Sequence, residues 1–296
     1  MKNILVTGAN GYIGKNLVKS LTESNKYKIL CVVSTVEKFE QIKSQISNCE
    51  NIYYISNDQF IDEYDTNEVI DVAVHLASSR ANAGSEKIAE GIRYSERVFK
   101  KFKELRVKRV INISSQSVYG NTSDIRHEYT PVNPNTLYAL SKYSIECLLD
   151  AIMSDCECEY TNVRLDSVIQ SQRIVTIFSS NIKTSGKIHI TGGKQVFSYI
   201  DIEDVVLAII DLLEASIEYK RVYNVGLNES RINIVELAEM LIEIGKEDGY
   251  TNLTYSLDEN DNEIWAGMNS ELFSKDTGWT PKLSLYDAIK KVYINS

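Results

Sequence analysis

The sequence contains little of what disulfide-rich, metal-binding or membrane-spanning proteins need. Its five cysteines are an odd number, with no Cys-x-x-Cys pair and no histidine cluster, so we expect neither a disulfide framework nor a metal site. No apolar run approaches the roughly 18 residues of a membrane span, so we expect no membrane partner. The N-terminus enters a strand-like run at once, and we expect a cytoplasmic protein without a signal peptide.

The sequence also lacks an excess of basic residues. The formal net charge is −9. Residues 201–296 carry 19 acidic and 8 basic side chains, whereas residues 1–200 carry 22 and 24. Neither part offers the basic surface that duplex DNA requires, so we expect no nucleic-acid partner.

Short β-branched apolar runs alternate with amphipathic stretches through the first 165 of the 296 residues. Such alternation predicts a parallel α/β sheet that is covered by helices on both faces. The predicted strands are 3–7, 28–33, 51–56, 69–77 and 109–114, and the predicted helices include 12–24, 89–105 and a helix that begins at Tyr138. The alternation loosens from about residue 170, which indicates a smaller second lobe.

Three glycines, Gly8, Gly11 and Gly14, follow the first predicted strand and open the first predicted helix. A tight turn needs a residue that tolerates positive φ, and a bare backbone can approach a pyrophosphate closely. The start of the helix then supplies free N–H groups for the phosphates. This context predicts the dinucleotide-binding turn of a Rossmann fold, and the alternative is a packing turn without ligand.

A tyrosine and a lysine, Tyr138 and Lys142, stand four residues apart, so they are neighbours on one helix face. The lysine ammonium favours phenolate and is expected to lower the tyrosine pKa from about 10. Such a tyrosine can exchange a proton with a sugar hydroxyl or a ketone. The pair alone is a common helix-surface pattern. A serine-rich segment, 114–117, ends the fifth predicted strand and offers a hydroxyl to the same reacting oxygen.

Together these motifs resemble the extended branch of the short-chain dehydrogenase/reductases, the nucleotide-sugar epimerases, dehydratases and ketoreductases. The resemblance covers nearly the whole chain and is carried by Thr-Gly-Ala-Asn-Gly-Tyr-Ile-Gly, Ser-Ser-x-x-Val-Tyr-Gly and Tyr-x-x-x-Lys. It implies an NAD(P)-binding Rossmann domain over residues 1–165. It also implies a substrate-binding lobe over residues 166–296, with segments that return to the main sheet. A homodimer formed through helices 89–105 and 138–152 is a further expectation.

The resemblance also assigns residues to roles. Ser115, Tyr138 and Lys142 are the implied catalytic residues. The implied cofactor contacts, besides Tyr138 and Lys142, are Gly8, Asn10, Gly11, Tyr12, Ile13, Gly14, Ser34, Asp58, Leu76, Ala77, Ser78 and Val168. The implied substrate contacts are Ser117, Ser167 and Gln195.

The choice between NADP and NAD depends on the end of the second strand. An NAD site usually has a carboxylate there for the ribose hydroxyls. Here Val33 is followed by Ser34 and Thr35, whose hydroxyls suit a phosphate, and Lys38 could reach it. These residues slightly favour NADP over NAD. NAD remains the alternative, because Lys38 is explained equally well as an ordinary surface lysine.

Departures from the family pattern restrict the function. Sugar 4,6-dehydratases of this branch carry Thr-Asp-Glu where this chain has Ser-Gln-Ser at 115–117, which argues against a dehydratase. Glu90 stands near the position of a structural asparagine. Ser167 replaces an asparagine that often contacts the sugar diphosphate, and Gln195 replaces an arginine that clamps a substrate phosphate. Lys194 and Arg173 are candidate substitutes for that arginine.

The resemblance therefore implies an oxidoreductase acting at C4 of a nucleotide-activated sugar. A 4-ketoreductase is favoured by the missing ribose carboxylate and the modest length. The alternative is a 4-epimerase of the UDP-glucose or UDP-N-acetylglucosamine type, which retains its cofactor. A reductase of small carbonyl compounds and a non-catalytic NAD(P)-binding regulator are more remote alternatives.

Overall fold

The computed structural model describes residues 1–228, 231–261 and 263–296. Contacts divide the chain into two compact units. The first unit comprises residues 1–118, 134–164 and 206–223, and the second comprises 119–133, 165–205 and 224–296. The segment 119–133 thus groups with the second unit although it precedes residue 165. The chain passes between the units several times.

The strands and helices follow the predicted alternation. The strands are β1 (Lys2–Thr7), β2 (Tyr27–Val33), β3 (Ile52–Ser56), β4 (Val72–His75), β5 (Arg109–Ser115), β6 (Glu159–Leu165), β7 (Ser167–Val168), β8 (Lys187–Gly192), β9 (Val196–Ile200), β10 (Val222–Val225), β11 (Arg231–Asn233) and β12 (Thr254–Glu259). The helices are α1 (Tyr12–Glu23), α2 (Val36–Lys43), α3 (Asn57–Asp62), α4 (Ser85–Glu104), α5 (Leu137–Met153), α6 (Arg173–Ser185), α7 (Ile202–Glu214), α8 (Ile234–Glu247), α9 (Glu271–Thr277) and α10 (Leu285–Ile294).

The main sheet has the strand order β3-β2-β1-β4-β5-β6-β10. Strand β1 pairs in parallel with β2 and β4, and the β2–β3 and β4–β5 pairs are parallel as well. The strand order reverses at β1, as in a doubly wound sheet, and the predicted Rossmann α/β fold is confirmed. Because the strands are parallel, the residues that follow β1, β4 and β5 meet at one edge of the sheet.

The fourth strand is shorter than the apolar run 69–77 predicts. Its pairing with β1 extends only from Val72 to His75. Val69 is 50% exposed, and Leu76 comes after the strand, with its N–H bonded to the Thr7 carbonyl. Residues 76–78 therefore follow the strand, at the edge of the sheet where the residues after β1 and β5 also lie.

The core of the first unit lies between the sheet and the pair of helices α4 and α5. The buried apolar residues include Leu5, Val32, Phe60, Ile70, Ala73, Val98, Phe99, Phe102, Val110, Ile145, Leu149 and Tyr160. None of the described helices combines the length and the apolar character that crossing a membrane requires.

The second unit contains two small sheets, β11-β9-β7 and β12-β8. Strand β9 pairs in parallel with β7 and antiparallel with β11, and β8 pairs in parallel with β12. Helices α6, α8 and α10 pack together over a core of their own, which includes Phe178, Ile190, Tyr199, Leu237, Leu241 and Ile289. This unit therefore has a separate hydrophobic core.

Candidate active site

The glycine turn after β1 requires glycine at two positions. Gly8 has φ +70°, and a Cβ there would lie 2.8 Å from the backbone nitrogen of Ala77. A Cβ on Gly14 would lie 2.3 Å from the Gly8 carbonyl oxygen. Both contacts are with backbone atoms, so an alanine at either position forces the turn to move.

The start of α1 is suited to an anion. Gly11 precedes the helix and provides no side-chain cap, and the first turn, which contains Tyr12, Ile13 and Gly14, has no acidic residue. The first N–H groups of the helix therefore point outward with the positive end of the helix dipole. Beside Gly11, the one close neighbour of an added Cβ is the Gly8 oxygen at 3.0 Å, so a ligand can approach the backbone. The turn fits the pyrophosphate of a dinucleotide.

The ends of β2 and β3 bring further predicted cofactor contacts to this edge. The Asn10 amide donates to the Ser34 hydroxyl at 3.2 Å, which joins the glycine turn to the end of β2. Ser34 and Lys38 are exposed. Asp58 is exposed in the first turn of α3, directly after β3. The predicted contacts of the first unit thus lie on consecutive loops of one sheet edge.

Helix α5 carries the tyrosine and lysine, and its N-terminus is capped by Thr136, whose hydroxyl accepts from Ala139 N–H at 3.1 Å. Tyr138 hydrogen-bonds Ser115 at the end of β5. The Lys142 ammonium donates to the Ser78 hydroxyl and to the Ile113 carbonyl, each at 2.9 Å. The structure therefore brings Ser115, Tyr138 and Lys142 together beside the loop after β4.

The electrostatics differ from the expected lowering of the tyrosine pKa. Burial raises the pKa of Tyr138, and the hydrogen bond with Ser115 opposes this. Lys142 directs its ammonium at Ser78 and Ile113. Burial lowers the pKa of Lys142 to about 8, against the effect of the nearby Glu146 charge. Tyr138 is therefore a protonated phenol at neutral pH.

A buried hydrogen-bond chain beneath the loops was not apparent from the sequence. Thr7 Oγ1 lies 2.7 Å from His75 Nδ1, and His75 Nε2 lies 3.0 Å from Ser95 Oγ. Since the Ser95 hydroxyl donates to the Gly91 carbonyl at 2.9 Å, His75 donates from Nε2 and accepts from Thr7. Burial, together with the Lys142 charge, lowers the pKa of His75 to about 3. This neutral histidine ties the ends of β1 and β4 to α4.

A second buried network lies one helical turn beyond Lys142. Glu146 accepts two hydrogen bonds from Arg164 of β6, Nε to Oε1 at 3.0 Å and Nη2 to Oε2 at 2.7 Å. The Ser114 hydroxyl of β5 also donates to Glu146. Helix spacing from Lys142 is a signal that could have identified Glu146 in the sequence, but Arg164 is adjacent only in the folded chain.

The predicted substrate contacts are distributed over both units. Ser117, in the first unit, has a buried hydroxyl without a hydrogen-bond partner among the described residues. In the second unit, Ser167 and Val168 form β7 beside β9. The Gln195 amide is buried and folds back on its own loop, where it accepts from Gly193 N–H at 2.8 Å.

The residues expected to replace the missing arginine are exposed. Lys194 pairs with Asp261 at 3.0 Å, and Arg173 lies exposed at the start of α6. Gln195 is committed to its own loop, as described above. No described group of three or more histidine, cysteine, aspartate or glutamate side chains is arranged to hold a metal ion.

The second unit contains a buried ionic cluster that sequence reasoning missed. Asp166 accepts from the Ser198 hydroxyl and from Ser167 N–H, the latter at 2.7 Å. Burial raises the pKa of Asp166 to about 6, against these hydrogen bonds and the charges of Arg126 and Arg231. The cluster therefore combines one carboxylate with two guanidinium groups.

Arg231 has unused hydrogen-bonding capacity within this cluster. Its Nη1 donates to the Ser123 carbonyl at 2.6 Å. Its Nε and Nη2 are buried and have no hydrogen-bond partner in the part of the chain that the structure describes. Arg231 lies opposite Ser198 across β11 and β9, a register that only the folded chain reveals.

Comparison with known proteins shows the family to which the chain belongs and agrees with the fold. The profile of the NAD dependent epimerase/dehydratase family matches residues 4–226. Human dTDP-D-glucose 4,6-dehydratase is 26% identical, with 98% of this chain and 88% of the relative covered. The dTDP-4-dehydro-6-deoxyglucose reductase of Escherichia coli is 24% identical, with 98% and 96% covered.

A solved structure shows the same fold. The UDP-glucuronic acid 4-epimerase from Bacillus cereus, crystallised with UDP-glucuronic acid and NAD, superimposes with a TM-score of 0.81 at 20% identity. The superposition covers 99% of this chain and 98% of the epimerase. The family match spans most of the chain and includes the glycine turn, the serine-rich segment and the tyrosine–lysine pair. The chain therefore belongs to the NAD dependent epimerase/dehydratase family, whose members are enzymes.

Proposed function

We propose that this enzyme is an NAD(P)-dependent oxidoreductase that reduces the C4 ketone of a nucleotide-activated sugar. The observation that carries the proposal is the Ser115–Tyr138 hydrogen bond beside the buried Lys142 ammonium. A ketone reduction needs a proton donor at the carbonyl oxygen, and a protonated tyrosine provides one. The Ser115 hydrogen bond points the Tyr138 hydroxyl to the place where a carbonyl oxygen would accept the proton.

The residues have distinct tasks in this reaction. The reduced nicotinamide, when bound, supplies the hydride that adds to C4. The Ser115 hydroxyl orients the carbonyl oxygen, and Tyr138 transfers its proton to that oxygen so that an alcohol forms. The Lys142 ammonium stabilises the phenolate that is left on Tyr138. The glycine turn and the start of α1 hold the pyrophosphate. Ser34, directly after β2, and Asp58, in the first turn of α3, are proposed to bind the adenosine half.

The comparisons leave three reaction types within the family, and specific residues favour one of them. The human relative is a 4,6-dehydratase, but this chain has Gln116 and Ser117 where the family pattern places the acid and base of water elimination. The E. coli relative is a reductase and matches nearly its whole length. A 4-epimerase remains the second candidate, because the same Ser-Tyr-Lys site serves it and the cofactor would be retained.

The cofactor is proposed to be NADP, with NAD as the alternative. The family is described as NAD dependent. In this chain the exposed Ser34 follows β2 where a ribose-binding carboxylate would otherwise stand, and the exposed Lys38 lies on the next helix. A hydroxyl and an ammonium suit the 2′-phosphate, whereas neither replaces the carboxylate.

Incubation with nucleotide 4-keto sugars tests the reaction and the cofactor together. We expect stoichiometric oxidation of NADPH, measured by its absorbance, and a smaller rate with NADH. Interconversion of sugar isomers without net cofactor consumption would identify an epimerase and overturn the reductase proposal. Equal or faster turnover with NADH would overturn the NADP preference alone.

Arg231 is proposed to bind an anionic group of the substrate in place of the missing arginine. A buried N–H without a partner destabilises the protein by about 1–3 kcal/mol, and a ligand oxygen would satisfy it. The other three candidates are engaged elsewhere or exposed, which supports this choice. Gln195 bonds its own loop, Lys194 pairs with Asp261, and Arg173 is exposed at the start of α6.

Replacing Arg231 by methionine tests that role. Hydrogen bonds to a charged group contribute about 1.5–3 kcal/mol, so we expect the affinity for UDP or dTDP to fall about 10- to 100-fold. Calorimetric titration measures it, and Arg173→Met is the matched control, expected to bind as the wild type does. An unchanged affinity in the Arg231→Met protein would contradict the assignment.

The lobe assignment and the assembly are also proposals. The second unit is proposed as the substrate-binding lobe.

A homodimer through α4 and α5 is supported by the exposed Leu137 and Leu140, which are each 49% exposed on α5. Size-exclusion chromatography tests the dimer, and elution at the monomer mass would overturn it.

A further inference from the structure

Glu146 occupies a fixed position relative to the proposed catalytic pair. Tyr138, Lys142 and Glu146 follow each other at intervals of four residues on α5, so they lie on successive turns of one face. The Glu146 side chain is only 5% exposed and is held by Arg164 through two hydrogen bonds. Ser114 donates a third. Since α5, β5 and β6 all contribute, these hydrogen bonds fix the position of the carboxylate.

Lys142 needs such a charge nearby. Its side chain is buried, and its two hydrogen-bond acceptors, Ser78 Oγ and the Ile113 carbonyl, are neutral. A buried ammonium has lost its hydrating water, and neutral hydrogen-bond acceptors stabilise it less than a carboxylate does. Burial lowers the pKa of Lys142 to about 8, and the Glu146 charge counteracts that effect.

The other groups that face Lys142 do not supply negative charge. From β4 comes His75, which is neutral because burial and the Lys142 charge lower its pKa to about 3. Arg164 on β6 forms an ion pair with Glu146 and is not among the charges that shift the pKa of Lys142. Helix α4 packs against α5, and its buried charged residue among those described is Lys101. Lys101 lies in the last turn of α4 and pairs with Glu104, so it brings no negative charge to Lys142. Within the described residues, Glu146 is thus the carboxylate that acts on Lys142.

We propose that Glu146 is a positioning residue whose carboxylate, fixed by Arg164 and Ser114, keeps the buried Lys142 ammonium charged for its work beside Tyr138. The inference deepens the proposed function, because it rests on Lys142 acting through its charge. The Ser114–Glu146–Arg164 network is in this view part of the proton-transfer site, although it contacts neither substrate nor cofactor.

The test measures the ionisation of Lys142 directly, without substrate or cofactor. The carbon-13 shift of its Cε atom is followed against pH by NMR, and the signal is assigned by its loss in Lys142→Arg. Four proteins are compared: wild type, Glu146→Gln, Glu146→Gln with Arg164→Met, and Glu159→Gln. The last is the matched control, because Glu159 forms the Arg109 ion pair between the same two strands, β5 and β6.

The expected order of midpoints follows from the charges. The wild type should titrate near pH 8. Glu146→Gln removes the carboxylate that opposes the effect of burial, so the midpoint should fall by about one pH unit or more. The double variant removes both charges and should also titrate below the wild type. Glu159→Gln should titrate as the wild type does.

Outcomes against the proposal are distinct from failure of the proposed function. A Glu146→Gln midpoint equal to that of the wild type, or equal shifts in Glu146→Gln and Glu159→Gln, would overturn it. If Glu146→Gln does not fold, the double variant is used in its place. A Lys142 midpoint at the wild-type value in the double variant would overturn the proposal, and a lower midpoint would support it. Because the titration needs no turnover, an inactive or differently specific enzyme gives the same answer.

Discussion

Replacing Tyr138 by phenylalanine is expected to lower turnover about 100- to 10,000-fold, the range typical of a lost general acid. The substitution removes the hydroxyl that bonds Ser115 and leaves the ring in place. The glycine turn and the start of α1 are untouched, so binding of NADPH should stay close to that of the wild type. Turnover is measured with the nucleotide 4-keto sugar that the wild type reduces, and cofactor binding is measured by fluorescence titration.

Tyr143 offers a control on the same helix. It lies five residues after Tyr138, so the two side chains leave α5 on different faces, and the substitution removes only the Tyr143 hydroxyl. Tyr143→Phe should therefore retain full turnover. If the Tyr138→Phe protein turned over as fast as the wild type, the proposed proton donor would be wrong; equal losses in both variants would indicate a structural effect on α5.

Replacing Gly14 by alanine is expected to reduce NADPH affinity at least about 100-fold. The added Cβ would lie 2.3 Å from the Gly8 oxygen and 2.8 Å from the Ala9 Cα, so the turn must shift away from its position. Losing even two hydrogen bonds to the charged pyrophosphate removes about 3–6 kcal/mol, which corresponds to 100-fold or more.

The matched control for Gly14 is Gly84, which precedes α4. Nothing lies within 4 Å of an added Cβ there, and its φ of −62° suits alanine. Gly84→Ala should bind NADPH with unchanged affinity. Melting curves of both proteins separate a local change in the turn from unfolding, and wild-type affinity in a folded Gly14→Ala protein would contradict the assignment of this turn to the pyrophosphate.

The sequence predicted those features of the fold that depend on local patterns. The alternation of apolar strands and amphipathic helices led to the parallel sheet, because periodicity and glycine spacing are local properties of the chain. The fourth strand was predicted too long, since an apolar run continues through Leu76 and Ala77 after the backbone has left the sheet. The membership of residues 119–133 in the second unit depends on distant contacts and left no local signal.

In the candidate site too, local spacing predicted some features, whereas others depend on contacts between distant parts of the chain. Tyr138 and Lys142 were placed on one helix face by their spacing, and the structure adds that Ser115 bonds Tyr138. The tyrosine pKa was expected to fall, but burial raises it, because desolvation depends on the whole fold. Arg164 and Arg231 became candidates only when strand register placed them beside Glu146 and Ser198.

Transfer of deuterium from NADPH labelled at the reactive nicotinamide carbon to the sugar tests the central claim most directly. The account predicts that, with a nucleotide 4-keto sugar as substrate, mass spectrometry of the product finds one deuterium at C4. One oxidised cofactor should form per product, and in the Tyr138→Phe protein the labelled product should form about 100- to 10,000-fold more slowly. A product without deuterium, or label transfer that persists at the wild-type rate in Tyr138→Phe, would contradict hydride transfer at C4 assisted by Tyr138.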